Sequence, residues 1–186
     1  MRPERFVLVL LSLAGAASAE AEGLAVDSAL PRNVLSLEPA AFFSGGMEID
    51  GERYFLSHRL SLVLALGGKG AAGGNYSSWS ISTGAAVRFW FEVLQLPFSH
   101  HAGGPFVGGR VDGAFDELTD QLNGGRARSI ELAGSLRAGY RFVFFDHFEV
   151  TPEAGIAVTM DIAGNPLIAG SPRLSWVYGG TFGCLF

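Results

Sequence analysis

Residues Trp176–Phe186 read W-V-Y-G-G-T-F-G-C-L-F, and the alternation within them decides the fold. Trp176, Tyr178, Phe182, Cys184 and Phe186 fall on one face of an extended chain, and Val177, Gly179, Thr181, Gly183 and Leu185 on the other. Successive side chains of a strand point to opposite faces, so the stretch predicts a strand with one aromatic face. The same period runs upstream. In Ser77–Glu92 the odd positions Trp79, Ile81, Ala85, Val87, Phe89 and Phe91 are apolar, against Ser78, Ser80, Ser82, Arg88 and Glu92. In Arg128–Phe144 the apolar set is Ile130, Leu132, Leu136, Ala138, Tyr140, Phe142 and Phe144; in Phe148–Met160 it is Phe148, Val150, Ala154, Ile156, Val158 and Met160. Asn33–Phe43, Gly46–Phe55, Arg59–Gly67 and Pro105–Phe115 complete a count of eight strands.

An amino-terminal segment stands apart from this pattern. Arg2 and Arg5 precede an apolar run, Phe6–Leu13, and Ala17-Ser18-Ala19 offers small residues for cleavage, which is the layout of a secretory signal peptide. The run is well short of the roughly 20 residues a spanning helix needs. Cleavage after Ala19 leaves 167 of the 186 residues, and the loss of Arg2, Glu4 and Arg5 leaves 11 basic against 17 acidic side chains, a formal charge of −6. That balance argues against nucleic-acid binding, which needs a basic footprint. Cys184 is the lone cysteine, so it forms no internal disulfide, and no cysteine follows the signal to be acylated. No later segment has 18 uninterrupted apolar residues, yet mean hydropathy is +0.29 with 26 glycines and 12% aromatics. A glycine- and aromatic-rich alternating chain of this kind fits a lipid-embedded barrel.

The expected domain organisation is a signal peptide over 1–19, a periplasmic segment over 20–32 and a barrel over 33–186. Eight strands return both termini to the periplasm. The periplasmic turns are then Leu56–His58, Val93–Gly103 and Phe145–His147, and the outer connections are Ser44-Gly45, Gly68–Tyr76, Glu117–Ala127 and Ile162–Pro172. Trp79, Trp176 and Tyr178 form an outer aromatic girdle; Phe89, Phe91, Tyr140, Phe142, Phe182 and Phe186 form a periplasmic one.

The phase that sends apolar residues outward sends charge inward. Glu48, Asp50, Glu52, Asp112, Glu131, Glu149 and Glu153 share the interior with Arg59, Arg88, Arg110, Arg137, Arg141 and Arg173. An eight-stranded barrel is only wide enough for side chains, so these groups pair within it. In a hairpin centred on Phe145, Arg141 opposes Glu149 and Arg137 opposes Glu153, and both are expected as structural cross-strand ion pairs.

The stretch N-V-L-S-L-E-P-A-A-F-F-S-G-G-M-E-I-D-G-E-R-Y-F-L-S-H-R-L-S-L-V-L-A-L-G, Asn33–Gly67, resembles the opening of small outer-membrane β-barrel domains, OmpA-like or OmpX-like. Gly104–Gly113 resembles a recurring mid-barrel strand of that family, and Phe186 matches its ending. The resemblance implies an all-β, eight-stranded antiparallel up-and-down transmembrane barrel with short periplasmic turns. It also implies export to the cell outer membrane and a C-terminal strand whose Phe186 serves as the signal read by the barrel-assembly machinery. Outer-membrane lipid and lipopolysaccharide are the other implied partners, and a monomer is expected. A full OmpA-type protein continues into a peptidoglycan-binding domain; the chain stops at the barrel, so cell-wall tethering is not expected.

Catalytic, cofactor and metal sites are not expected. Ser57-His58 and Ser99-His100-His101 are adjacent but fall in periplasmic turns, and His100-His101 lacks further ligands. Gly68-Lys69-Gly70 lacks the rest of a phosphate loop and reads as an outer loop, Asn75-Tyr76-Ser77 is a chance sequon, and Glu117–Leu122 reads as a solvated outer loop in preference to a short helical turn holding divalent cations. The expected function is a structural or interaction role without catalysis. An outer-membrane lipid-modifying enzyme and a narrow gated pore are the alternatives. A lipocalin-like carrier is disfavoured, because it would turn its apolar face inward.

Overall fold

A chain that alternates so strictly must give every backbone amide a partner on a neighbouring strand, and a sheet with no edge does so completely. The computed structural model describes residues 33–39, 45–55, 59–73, 75–91, 103–163 and 171–186. It contains β1 (Asn33–Leu37), β2 (Gly46–Phe55), β3 (Leu60–Gly73), β4 (Tyr76–Trp90), β5 (Gly104–Asp120), β6 (Arg126–Phe144), β7 (Phe148–Ala163) and β8 (Arg173–Leu185). All neighbours are antiparallel, and the order β1 to β8 closes on itself as a barrel. The β1–β8 seam is short, running from Val34↔Leu185 to Leu37↔Phe182. Reciprocal backbone bonds of 3.0 Å between Asn33 and Phe186 extend it, so the last residue helps to close the cylinder.

Both termini of the barrel therefore lie at one end, with the Phe144–Phe148 turn beside them, since Leu185 donates to the His147 carbonyl at 2.8 Å. The β5–β6 connection and the tips of β3–β4 stand at the far end. There the strands outrun the sequence expectation. β3 continues through Gly67-Gly-Lys-Gly-Ala-Ala-Gly73, paired with Tyr76–Ser82, where a loop from Gly68 was expected. Backbone ladders accept small side chains, and no proline interrupts this one. β5 likewise runs to Asp120, so Glu117–Leu122 is strand and then turn, where a loop from Glu117 was expected. β1 is described only to Leu37, and the rest of the expected strand, 40–43, lies outside the described residues, as do 1–32, Leu56–His58, Ser99, His100 and His101.

The β6–β7 hairpin corrects the expected register. Gly139 opposes Glu153 and Phe142 opposes Val150, which displaces the pairing by two residues from a hairpin centred on Phe145. The turn carries φ of 54° at Phe145 and 61° at Asp146, and the His147 amide donates to the Phe144 carbonyl at 3.2 Å. Two successive left-handed residues make the hairpin turn that matches strand twist, and they centre it on Asp146.

The outside of the cylinder is apolar. Leu132, Leu136, Phe148, Val150, Ile156, Val158, Trp176 and Tyr178 are exposed, the last two at 81% and 86%. Charged residues occupy the inside: Arg141, Glu149, Asp50 and Glu52 are no more than 3% exposed. The hydrophobic pattern of a water-soluble barrel is thus inverted.

Candidate functional site

The lumen is layered from the terminal end outward. Its base is apolar, built from Val34, Tyr54, Trp90, Phe106, Val143 and Leu185. Trp90 stacks at 4.8 Å on Phe106 and 5.6 Å on Tyr54. Gly139 leaves space for that base: a Cβ there would sit 2.7 Å from the Phe106 ring and 2.5 Å from the Pro152 carbonyl oxygen. Two guanidiniums lie on the aromatic faces, Arg141 at 4.7 Å from Trp90 and Arg88 at 4.7 Å from Phe106, which suits a cation against a π-cloud.

Above the base stands a charged network. Arg141 donates through Nε to Glu149 at 2.9 Å and to Thr151 at 3.1 Å, and through its other nitrogens to Glu52 and Tyr54. Glu149 also accepts from Thr151 and, at 3.2 Å, from Thr181. Glu52 is shared: Arg88 donates to it at 2.9 Å and Ser61 hydrogen-bonds it, while the Trp90 indole donates to Ser61 at 2.9 Å. Arg88 reaches Glu153 at 3.0 Å, and Arg137 donates to the other oxygen of Glu153. In this layer three carboxylates, Glu52, Glu149 and Glu153, meet three arginines, Arg88, Arg137 and Arg141. Buried charges of this kind are tolerable only when every lone pair and donor is used.

The four residues singled out as ion pairs, Arg137, Arg141, Glu149 and Glu153, thus lie together in this layer. With the register displaced, each contact is diagonal across the hairpin, and long side chains span it. Residues that hairpin reasoning missed are Glu52, Arg88, Ser61 and Trp90, which arrive from across the lumen. Their common inward phase was the available signal; which of them meet depends on closure.

Nearer the far end the balance changes. Arg110 donates to Glu48 and Asp112, both at 2.6 Å, and Arg137 approaches Asp112 at 3.8 Å. Glu38 reaches into the lumen over Gly179, and Asp50 sits one alternation deeper than Glu48 on β2. Asp116, Glu131 and Asp161 follow toward the mouth on the same inner phase, against Lys69 and Arg173; Arg173 bonds Asp161 at 2.8 Å. Seven acids therefore share this half with three bases among the described residues. An open cavity of about 360 Å³ occupies it, walled in part by Glu38, Glu48, Lys69, Ser80 and Ser82.

On the outside of the far end, Trp79 donates its indole N–H to Glu117 at 3.4 Å, and Arg128 donates to the other Glu117 oxygen at 2.7 Å. This polar step lies just beyond the apolar ladder of Ile81, Phe115 and Ile130. Among the described residues no group of three His, Cys, Asp or Glu side chains converges as a metal ion would require.

Among solved structures, the chain is similar to the crystal structure of neisserial surface protein A, with a TM-score of 0.48 and 13% sequence identity over 81% of this chain and 92% of that one. No protein-family model matches the chain, and no curated protein does.

Proposed function

We propose that the chain is an integral outer-membrane β-barrel with a structural or interaction role, a charge-filled lumen and no catalysis of its own. The observation that carries this reading is the inversion of the barrel, with apolar and aromatic side chains outside and fully buried charge inside. In water an exposed belt of this size would drive association; in hydrocarbon it is the favourable surface, and a closed barrel leaves no backbone group unpaired. β4 to β7, at 15 to 19 residues, exceed the roughly 9–11 needed to cross at a tilt. The termini then face the periplasm and the longer hairpins face outward. Trp79, with Glu117 and Arg128 beyond it, suits an amphipathic ring at the membrane–water boundary, where lipopolysaccharide is the lipid met. Phe186 pairs with Asn33 at the closing seam, which supports its reading as the assembly signal of the last strand.

Gel migration tests the reading directly. Refolded into detergent micelles, the chain should migrate differently when heated and unheated, and it should partition with detergent. A monodisperse monomer in detergent-free buffer would overturn it.

A further inference from the structure

We infer that the far half of the lumen is a binding site for a small organic polycation carrying two or more ammonium groups. The inference goes beyond the structural role proposed above and rests on that reading only for the direction in which the mouth opens.

Asp50 is the starting observation. It is 2% exposed, on the inner phase of β2, yet neither of its carboxylate oxygens accepts a hydrogen bond from any described residue. A buried carboxylate without donors is costly, and an orphaned group in an otherwise satisfied interior marks a missing partner. Every other acid of the deeper network has such donors: Glu52, Glu149 and Glu153 each accept from at least one arginine. Asp50 lies on β2 between Glu52 of that balanced network and Glu48 of the cavity wall, within electrostatic reach of Glu48, Arg110, Arg88 and Glu153, although none of them hydrogen-bonds it.

The cavity above it has the complementary chemistry. Glu38 and Glu48 line it beside Lys69, with the Ser80 and Ser82 hydroxyls as further acceptors, and its volume of about 360 Å³ falls at the lower end of the range of small-ligand sites. The excess of four acids over bases in this half needs a counter-charge. The connecting segments 40–44 and 164–170 contain no lysine or arginine, so they do not supply one. A directly coordinated metal fits poorly, because no three carboxylates converge among the described residues. An alkylammonium group donates three hydrogen bonds from a flexible stem and can serve carboxylates that are spread apart.

The test uses spermidine as the probe, titrated calorimetrically into the full chain refolded in dodecyl maltoside micelles. Saturable one-to-one binding is expected, weakened about tenfold or more by Asp50→Asn and by Glu48→Gln, as for loss of a charged hydrogen-bond partner. Asp50→Asn has a second signature: it removes a buried charge that no donor satisfies, so without spermidine it should unfold at higher denaturant than the parent chain, a shift a hydrogen-bonded structural carboxylate would not give. Absence of saturable binding, or equal affinity in both variants, overturns the inference. Stoichiometric displacement of spermidine by equimolar Mg²⁺ overturns it in favour of a metal site. A barrel that proves soluble without detergent overturns the membrane reading alone, and the same titration then runs in buffer.

Discussion

Two halves of one lumen solve the burial of charge differently. Toward the termini, Glu52, Glu149 and Glu153 are matched by Arg88, Arg137 and Arg141 and capped by an aromatic base. Toward the far end, Arg110 braces Glu48 and Asp112 with Arg137 at 3.8 Å from Asp112, Asp50 has no donor among the described residues, and a cavity remains. The strands are continuous through both halves, so the difference lies in side chains. Inward aromatics and arginines fill the first half, while Gly67, Ser80, Ser82 and Ala114 leave the second half open. A filled half can hold the barrel shut and rigid, and an open half can take a ligand.

The sharpest way to break the contrast is Arg141→Ala. It leaves Glu149 without an arginine in a dry layer and takes from Glu52 one of its two, which costs about 3–5 kcal/mol as for one partner of a buried pair. Denaturant unfolding in lipid vesicles measures it, and a change below about 1 kcal/mol would mean that water reaches this layer.

Gly139→Ala probes the base without touching charge. The added methyl meets the Phe106 ring and the Pro152 carbonyl, one of which is backbone and cannot turn aside. Overpacking of this kind costs about 1–3 kcal/mol. Gly113→Ala, where a Cβ meets nothing within 4 Å, is the matched control and should leave the unfolding midpoint in place.

Much of this was legible before any coordinates. Alternation gave the eight strands, their faces and the inward charge, because in a barrel the phase of a strand fixes lipid side and lumen side together. What stayed hidden was the pairing across the closed cylinder. Arg141 and Glu52 are 89 positions apart and meet only once shear and tilt are set. The hairpin centre differs from the expected one for a local reason: Phe145, a bulky residue, adopts the left-handed conformation usually taken by glycine or asparagine. The glycine-rich ends of β3 read as loop because their small side chains carry no hydrophobic signal, although their backbone pairs in full.

Arg137→Ala separates network from gate. Removal of Arg141 leaves Glu149 with no arginine, whereas removal of Arg137 leaves each acid another one, since Glu153 keeps Arg88 and Asp112 keeps Arg110. The cost should fall to about 1.5 kcal/mol, the lower range for hydrogen bonds to charged groups. Single-channel conductance in planar bilayers should stay at the parent level, because the base of Tyr54, Trp90 and Phe106 lies below the site of change. A large rise in conductance would make Arg137 part of a gate and place the constriction above the base.

The smallest effect belongs to the far hairpin tip, beyond both halves. The Leu122 amide donates to Asp120 at 2.9 Å, and the Asn123 side chain donates to its other oxygen at 2.9 Å. These bonds, the amide first, favour the ionised form and hold the Asp120 carboxyl below its ordinary value of 3.8. A depressed carboxyl stabilises the folded tip at every pH above that ordinary value and loses its contribution as the pH falls through the lower folded-state value. Proteolysis of the Gln121–Gly125 turn should therefore stay constant from neutral pH down to the ordinary aspartate range and accelerate only below it. Asp120→Asn, which keeps the shape but not the charge, should remove that acid-dependent step while the unfolding midpoint of the barrel barely moves. If the variant shifted the midpoint as far as Gly139→Ala does, the tip would be coupled to the filled half, and the independence of the two ends would be lost.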